Sequence, residues 1–307
     1  MRAVVEADPV AGIREGEDET PFRRFVSDFR ESHAAVAGLA MFTAVVAAAI
    51  LAPLISPQNP YDLRQLTILD SRLPPGSRAG AGYTFLLGSD AQGRDILSGI
   101  FYGLRISLGV GAMSALIALG IGMAAGLAAA YAGGALDTLI MRVVDIQLSF
   151  PAILIALILL AVLGQGVDKI VIALVTVQWA YYARTVRGAA LAERHKEYME
   201  AARCLSLGHG RIVFRHLLPN CLPPVIVVVT VQVAHAISLE ATLSFLGIGL
   251  PITEPSLGLL IANGYRFLLS GAYWISFFPG MALLITIVSI NLVGDQLRDI
   301  LNPRLQN

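Results

Sequence analysis

Charge is scarce in this sequence. Only 14% of its 307 residues are Asp, Glu, Lys or Arg, where a soluble domain carries about a quarter, so an ordinary water-facing surface is excluded for most of the chain. The charge that is present sums to zero, which removes the basic field that nucleic-acid binding requires. Lysine is nearly missing: Lys169 and Lys196 are the only two among 22 basic residues. Lys169 follows Asp168 and Lys196 follows His195, so no Gly-Lys-Ser/Thr phosphate loop exists and any ATP chemistry must come from a partner. The two cysteines, Cys204 and Cys221, are too few for a disulfide framework or a metal cluster and read as free thiols near the cytoplasmic face. Aromatics are also sparse, at 7%.

What remains is aliphatic. Apolar residues make up 56% of the chain and gather in runs. A helix crossing about 30 Å of hydrocarbon needs roughly 20 of them at about 1.5 Å each. Six runs qualify: about Ala34 to Ile55, Ile106 to Tyr131, Leu139 to Leu163, Val167 to Arg184, Leu222 to Phe245, and Trp274 to Val293. The third contains Pro151, and the fourth, with Gln178 and Trp179, is the least hydrophobic. The expectation is an all-α polytopic membrane protein with six transmembrane helices.

Six spans put both termini on one side, and the basic residues of the short loops choose which. Arg184, Arg187, Arg194, Lys196, Arg203, Arg211 and Arg215 crowd one segment, which is therefore expected to be cytoplasmic, with both termini. The first 33 residues mix eight acids with five arginines, too long and too acidic for a signal-peptide n-region, so the next run is expected to stay as an anchor. The resulting division is a cytoplasmic tail over 1–33, a first span over 34–55, an outer loop over 56–102, a helical core over 103–297 and a second cytoplasmic tail over 298–307. The outer loop, with Pro57, Pro60, Pro74 and Pro75, reads as irregular and extended.

The basic segment at about 190–219 carries the most specific signal. It runs Glu197-Tyr198-Met199-Glu200-Ala201-Ala202-Arg203-Cys204-Leu205-Ser206-Leu207-Gly208, and later His216-Leu217-Leu218-Pro219. Ala201 and Ala202 let a partner backbone come close, with the Glu200 charge beside them. Gly208 and Gly210 permit a turn, and a second helix is expected to end before Pro219. The product is a helix-turn-helix knob. An alternative is a solvated amphipathic loop with Glu200 paired to Lys196 or Arg203.

Glu-Ala-Ala followed about 17 residues later by Leu-Leu-Pro resembles the coupling loop of ABC importer permeases. The stretch Arg215-His216-Leu217-Leu218-Pro219-Asn220 with Pro223-Pro224 resembles the dipeptide/oligopeptide permease group. Leu87-Gly88-Ser89-Asp90 with Gly93-Arg94-Asp95, Tyr131 to Gly134 with Asp137 and Met141 to Asp145, and Leu239 to Gly247 agree with that group in order. The resemblance implies a type I importer permease fold whose knob, through Glu197, Tyr198, Glu200, Ala201, Ala202, Arg203, Ser206 and Gly208, couples to an ATPase.

Further implied are a second homologous permease, two ABC ATPase subunits or one two-headed ATPase, an external substrate-binding protein, and the lipid bilayer of a bacterial inner membrane. ATP and Mg belong to the ATPase subunits; this chain is expected to bind no cofactor or metal and to make no bonds itself. Di- or oligopeptides are the implied cargo, with nickel, glutathione or another small solute as alternatives, and an ATP-independent secondary transporter as the reading from another class. One departure stands out. The family carries glycine six residues after the glutamate, where this chain has Ser206, so the turn is expected to shift or tighten.

Polar groups at membrane depth are costly and face the bundle or a cavity. Gln178, Gln232, His235 and Glu240 either line the translocation path or bond between helices. Asp90, Arg94 and Asp95 either meet the docked binding protein or build a turn in which Asp95 caps the next helix. Gly122 and Gly126, four apart, mark close helix packing, within this chain or against the second permease.

Overall fold

The computed structural model describes residues 21–251 and 253–301, so the tails at 1–20 and 302–307 lie outside it. Helix α1 (Pro21–Glu31) leads through Ser32, whose hydroxyl accepts the Ala35 N–H as an N-cap, into α2 (His33–Ile55). After the outer loop come α3 (Ile96–Ala132), α4 (Gly134–Ser149), α5 (Ala152–Leu163) and α6 (Val167–Arg194). The basic segment after α6 forms α7 (Glu197–Cys204) and the short α8 (His209–Arg211), and α9 (Leu218–Phe245), α10 (Leu257–Tyr265) and α11 (Trp274–Leu301) follow.

Among the described residues four stretches are long and apolar enough to cross a membrane: α2, α3, the continuous helix His209–Phe245, and α11. The expected third span is broken. Phe150 is extended (φ −98°, ψ 143°) because the ring of Pro151 bars the helical conformation before it, and α4 and α5 meet at 90°. Counted as one crossing, that pair makes five. The expected fourth span, α6, runs ten residues past Arg184, and its polar content keeps it out of that count.

The core is a bundle built around α3. This 37-residue helix is about 55 Å long, more than the roughly 30 Å of a bilayer's hydrocarbon. It packs along α6 in the same direction: Gly122 faces Trp179 to Ala183, and Gly126 faces Ala183 to Arg187. A Cβ at Gly122 would stand 2.5 Å from the Trp179 carbonyl, and one at Gly126 2.6 Å from that of Ala183. The close glycine packing is therefore internal to the chain. An outer apolar cluster joins Val110, Leu160, Ile170, Leu174 and Leu243, and an inner one joins Leu127, Val186, Met199, Leu217 and Val225.

The outer loop is compact rather than extended. It contains a two-residue hairpin, β1 (Ser77–Arg78) against β2 (Thr84–Phe85), and it is pinned to α11 by the Trp274 indole, which donates to the Ser89 carbonyl at 3.2 Å. Gly88, at φ 87°, leaves the space that this indole fills.

Candidate functional site

Helix α7 is seated on the inner ends of three long helices. Met199 (0% exposed) and Ala202 (4%) point into the inner apolar cluster with Leu127, Val186, Ile212 and Leu217. Glu197, Tyr198, Glu200, Ala201 and Arg203 occupy the opposite, exposed face. The expectation that both alanines meet a partner is corrected: Ala202 is small because it packs inward, and Ala201 alone lies outside beside Glu200.

The Glu200 carboxylate makes no hydrogen bond or ion pair among the described residues. Lys196 instead reaches Glu193 at 2.7 Å, and the Tyr198 hydroxyl donates to Glu193 at 2.7 Å. Burial, then this bond and the Glu193 charge, push the Tyr198 phenol up to about 12, so it remains a donor across the working pH range.

Ser206 does not shift the turn. It takes the left-handed conformation itself, φ 53°, and the bonds around it are those of a glycine-type helix stop. Leu207 N–H donates to the Ala202 carbonyl at 3.3 Å and Ser206 N–H to that of Arg203 at 2.9 Å, while Leu207 packs on the cluster that holds Ala202. This is a Schellman closure with serine at the position glycine favours. Gly208, by contrast, sits at φ −58° before α8.

The second helix of the knob does not end before Pro219. A π-helical turn at Ile212–Leu217, closed by Leu218 N–H on the Val213 carbonyl, leads directly into α9. Pro219 stands in the first turn of α9, where a missing N–H is tolerated. The knob is thus a rigid extension of a membrane helix. Tyr131, near the end of α3, bonds His209 Nδ1 at 2.5 Å and braces its far side.

Sequence reasoning missed the clamp behind the knob. Arg187 of α6 holds Asp137 of α4 in a two-pronged pair at 2.5 and 2.7 Å, Arg184 pairs with Asp145, and Arg194 donates to the Ala130 carbonyl at 2.8 Å. The available signal was two acids eight residues apart on α4, one helical face, opposite two arginines three apart on α6.

At membrane depth the four polar candidates separate. Gln178 (0% exposed), Gln232 (6%) and Glu240 (0%) are buried inside the chain, and His235 is exposed. Glu240 accepts from Ser107 of α3 and from Ser244, both at 2.8 Å, so it bonds between helices. Both amide atoms of Gln178 and Nε2 of Gln232 are buried with no hydrogen-bond partner among the described residues.

In the outer loop Asp90, Arg94 and Asp95 are buried, which corrects the docking alternative: they build the turn. Asp90 Oδ1 accepts the N–H groups of Gln92 and Arg94 at 2.7 and 2.9 Å. Asp95 caps α3 by accepting the Ser98 N–H at 2.8 Å and its hydroxyl at 2.6 Å. Burial raises both carboxyls above their ordinary range despite these bonds. Among the described residues no group of His, Cys, Asp and Glu is placed to hold a metal ion.

Residues 117–307 match the model of the family described as binding-protein-dependent transport system inner membrane component, and residues 20–75 that of the N-terminal TM domain of oligopeptide transport permease C. The chain is 36% identical over 288 residues to the dipeptide transport system permease protein DppC of Haemophilus influenzae, covering 94% of this chain and 96% of that one. It is 39% identical to the protein of the same name in Escherichia coli K12, covering 94% of each. A putative peptide transport system permease protein of Brucella suis is 42% identical over 88% of this chain and 87% of its own. Among solved structures, an inward-facing MetNI methionine ABC transporter superposes with a TM-score of 0.54 at 20% identity, over 65% of this chain and 94% of that one.

Proposed function

The chain belongs to the family of binding-protein-dependent transport system inner membrane components, and from that membership we propose that it carries di- or oligopeptides inward as one half of a two-permease path. The membership makes it a permease subunit of an ABC importer, multi-pass in an inner membrane, with an all-α type I fold. The peptide cargo rests on near-full-length likeness to proteins named as peptide permeases.

The coupling step is assigned to the outer face of α7. Glu200, Ala201 and Arg203, with Glu197, Tyr198, Ser206 and Gly208 around them, dock into a groove of a cytoplasmic ABC ATPase subunit. ATP and Mg are bound there and not by this chain. The observation that carries this assignment is mechanical. Met199 and Ala202 lock α7 onto the ends of α3, α6 and α9, so a push on its exposed face is passed to three long helices as a rigid body. The remaining partners are a second, related permease and an external binding protein.

We assign the sixth crossing to α6, because it lies along α3 in the same direction through the Gly122–Gly126 contact. With six crossings, we infer that both termini share the cytoplasmic side with the basic segment Arg184–Arg215. Mass spectrometry of what co-purifies from native membrane in mild detergent tests the whole assignment. A related permease with one or two P-loop ATPases is the expected result; the protein alone, active in ion-driven flux, overturns it.

A further inference from the structure

Arg105 is the tenth residue of α3 and immediately precedes Ile106, where the apolar run begins. It is exposed and makes no hydrogen bond or ion pair among the described residues. A guanidinium at the hydrocarbon boundary without a partner is costly, and such groups pair or reach the interface. Two cavities, each of 390 Å³, flank it. One lies under Tyr61 and Tyr102 and descends past Met113 beside Val167. The other lies between α2 and α3 and descends past Ile50, Val46 and Phe42, with Ala112 opposite. Arg105 and Gly109 line both. Gly109 is the low ridge between them, and nothing stands within 4 Å of where its Cβ would be.

We propose that Arg105 and the paired grooves on either side of Gly109 bind one anionic diacyl phospholipid of the outer leaflet, its phosphate on Arg105 and one acyl chain in each groove. Three observations point to a lipid. From Ile50 to Phe42 the second groove drops about 12 Å, near half of the hydrocarbon thickness, and its wall is apolar. Tyr61 and Tyr102, edge to face at 5.4 Å, stand at the headgroup level, where phenols concentrate. One cation serves two grooves, which matches one headgroup with two tails. Burial, followed by the Glu254 charge, holds the Tyr61 phenol above its ordinary range, so its hydroxyl remains a neutral donor for a phosphate oxygen.

The site rests on α3 crossing the membrane and not on which solute is carried, and its test needs no solute. The full chain, purified with the subunits that accompany it, is titrated with phosphatidylglycerol and with phosphatidylcholine and read by native mass spectrometry. The wild type is expected to retain phosphatidylglycerol in preference. Arg105→Gln weakens that retention about five-fold or more, and Arg105→Lys recovers part of it. Gly109→Leu has open space to occupy, so it folds, keeps the cation and still loses the lipid. Equal retention by Arg105→Gln and Gly109→Leu overturns the proposal, as does equal affinity of the wild type for both lipids. Cross-linking of a Gly109→Cys variant to a co-purified subunit also overturns it, because a protein then fills the grooves.

Discussion

The knob that follows α6 and the cap that precedes α3 are built by opposite rules. The knob buries apolar side chains, Met199, Ala202 and Leu217, and turns its charges outward, Glu200 with no hydrogen bond or ion pair among the described residues. The cap buries its polar groups, Gln58, Ser89, Asp90, Asp95 and Ser98, and bonds them to one another and to the backbone. Apolar contact is non-directional, so the knob can turn with the helices beneath it while holding its seat. Hydrogen bonds fix angle as well as distance, so the cap suits a fixed rim at the start of α3.

Two substitutions attack that contrast most strongly. Met199→Ala removes the side chain that fills the inner cluster and is expected to cost about 2–5 kcal/mol, as buried large-to-small changes do. Protease added from the cytoplasmic side would then cut between Arg194 and His209 far faster than in the wild type; an unchanged rate means that apolar seating does not hold α7. Asp95→Ala acts on the other rule. It removes the cap of α3 and leaves the Ser98 N–H and hydroxyl without their acceptor, for a loss of about 1–2 kcal/mol. Faster amide exchange confined to Gln58 and Ile96–Gly99 is the expected sign, with the knob untouched. Spread of the effect to α7 would mean that the two ends are not independent.

Much of this was legible in the sequence because it is local. Apolar runs located α2, α3, α9 and α11, the Asp95 cap follows from one side chain and the next three residues, and the pattern around Glu200 located the knob. The misreadings came from backbone adjustments and long-range burial. Pro219 reads as a stop unless a wider turn precedes it, and the π-helical turn supplies one at Ile212–Leu217. Phe150 and Pro151 sit inside an apolar run, which hides a 90° bend. Composition made Asp90, Arg94 and Asp95 surface candidates, but their burial depends on Gln58 and Trp274, the latter 185 residues from its acceptor Ser89. The Asp137–Arg187 pair spans 50 residues, so the spacing of its acids and arginines on two helices does not say which partners meet.

Ser206→Gly is a smaller and stabilising change. Serine at φ 53° bears a left-handed penalty of roughly 1–2 kcal/mol that glycine escapes, partly offset by the greater freedom of glycine in the unfolded chain. A gain of about 0.5–1 kcal/mol is expected, read as slower exchange of the Ser206 and Leu207 amides, whose bonds close the turn. A loss instead of a gain would mean that the serine side chain contributes to the closure. Stabilisation here also tests whether a stiffer knob couples better or worse, since the bond pattern of the turn is unchanged.

Glu200→Ala has the smallest effect on the fold and the clearest effect on function. The carboxylate makes no hydrogen bond or ion pair among the described residues, alanine is a better helix former than glutamate, and exposed changes of this kind leave stability nearly unchanged. Thermal unfolding and membrane insertion should therefore match the wild type. If the exposed face of α7 is the ATPase seat, uptake and the hydrolysis stimulated by loaded binding protein should both fall, while basal hydrolysis by the ATPase subunits persists. The pairing of an intact fold with lost coupling separates a docking residue from a structural one, because Met199→Ala loses both together. Uptake and stimulated hydrolysis at wild-type levels in Glu200→Ala would move the seat elsewhere on the knob, and Arg203, one turn along the same exposed face, would be the next residue to change.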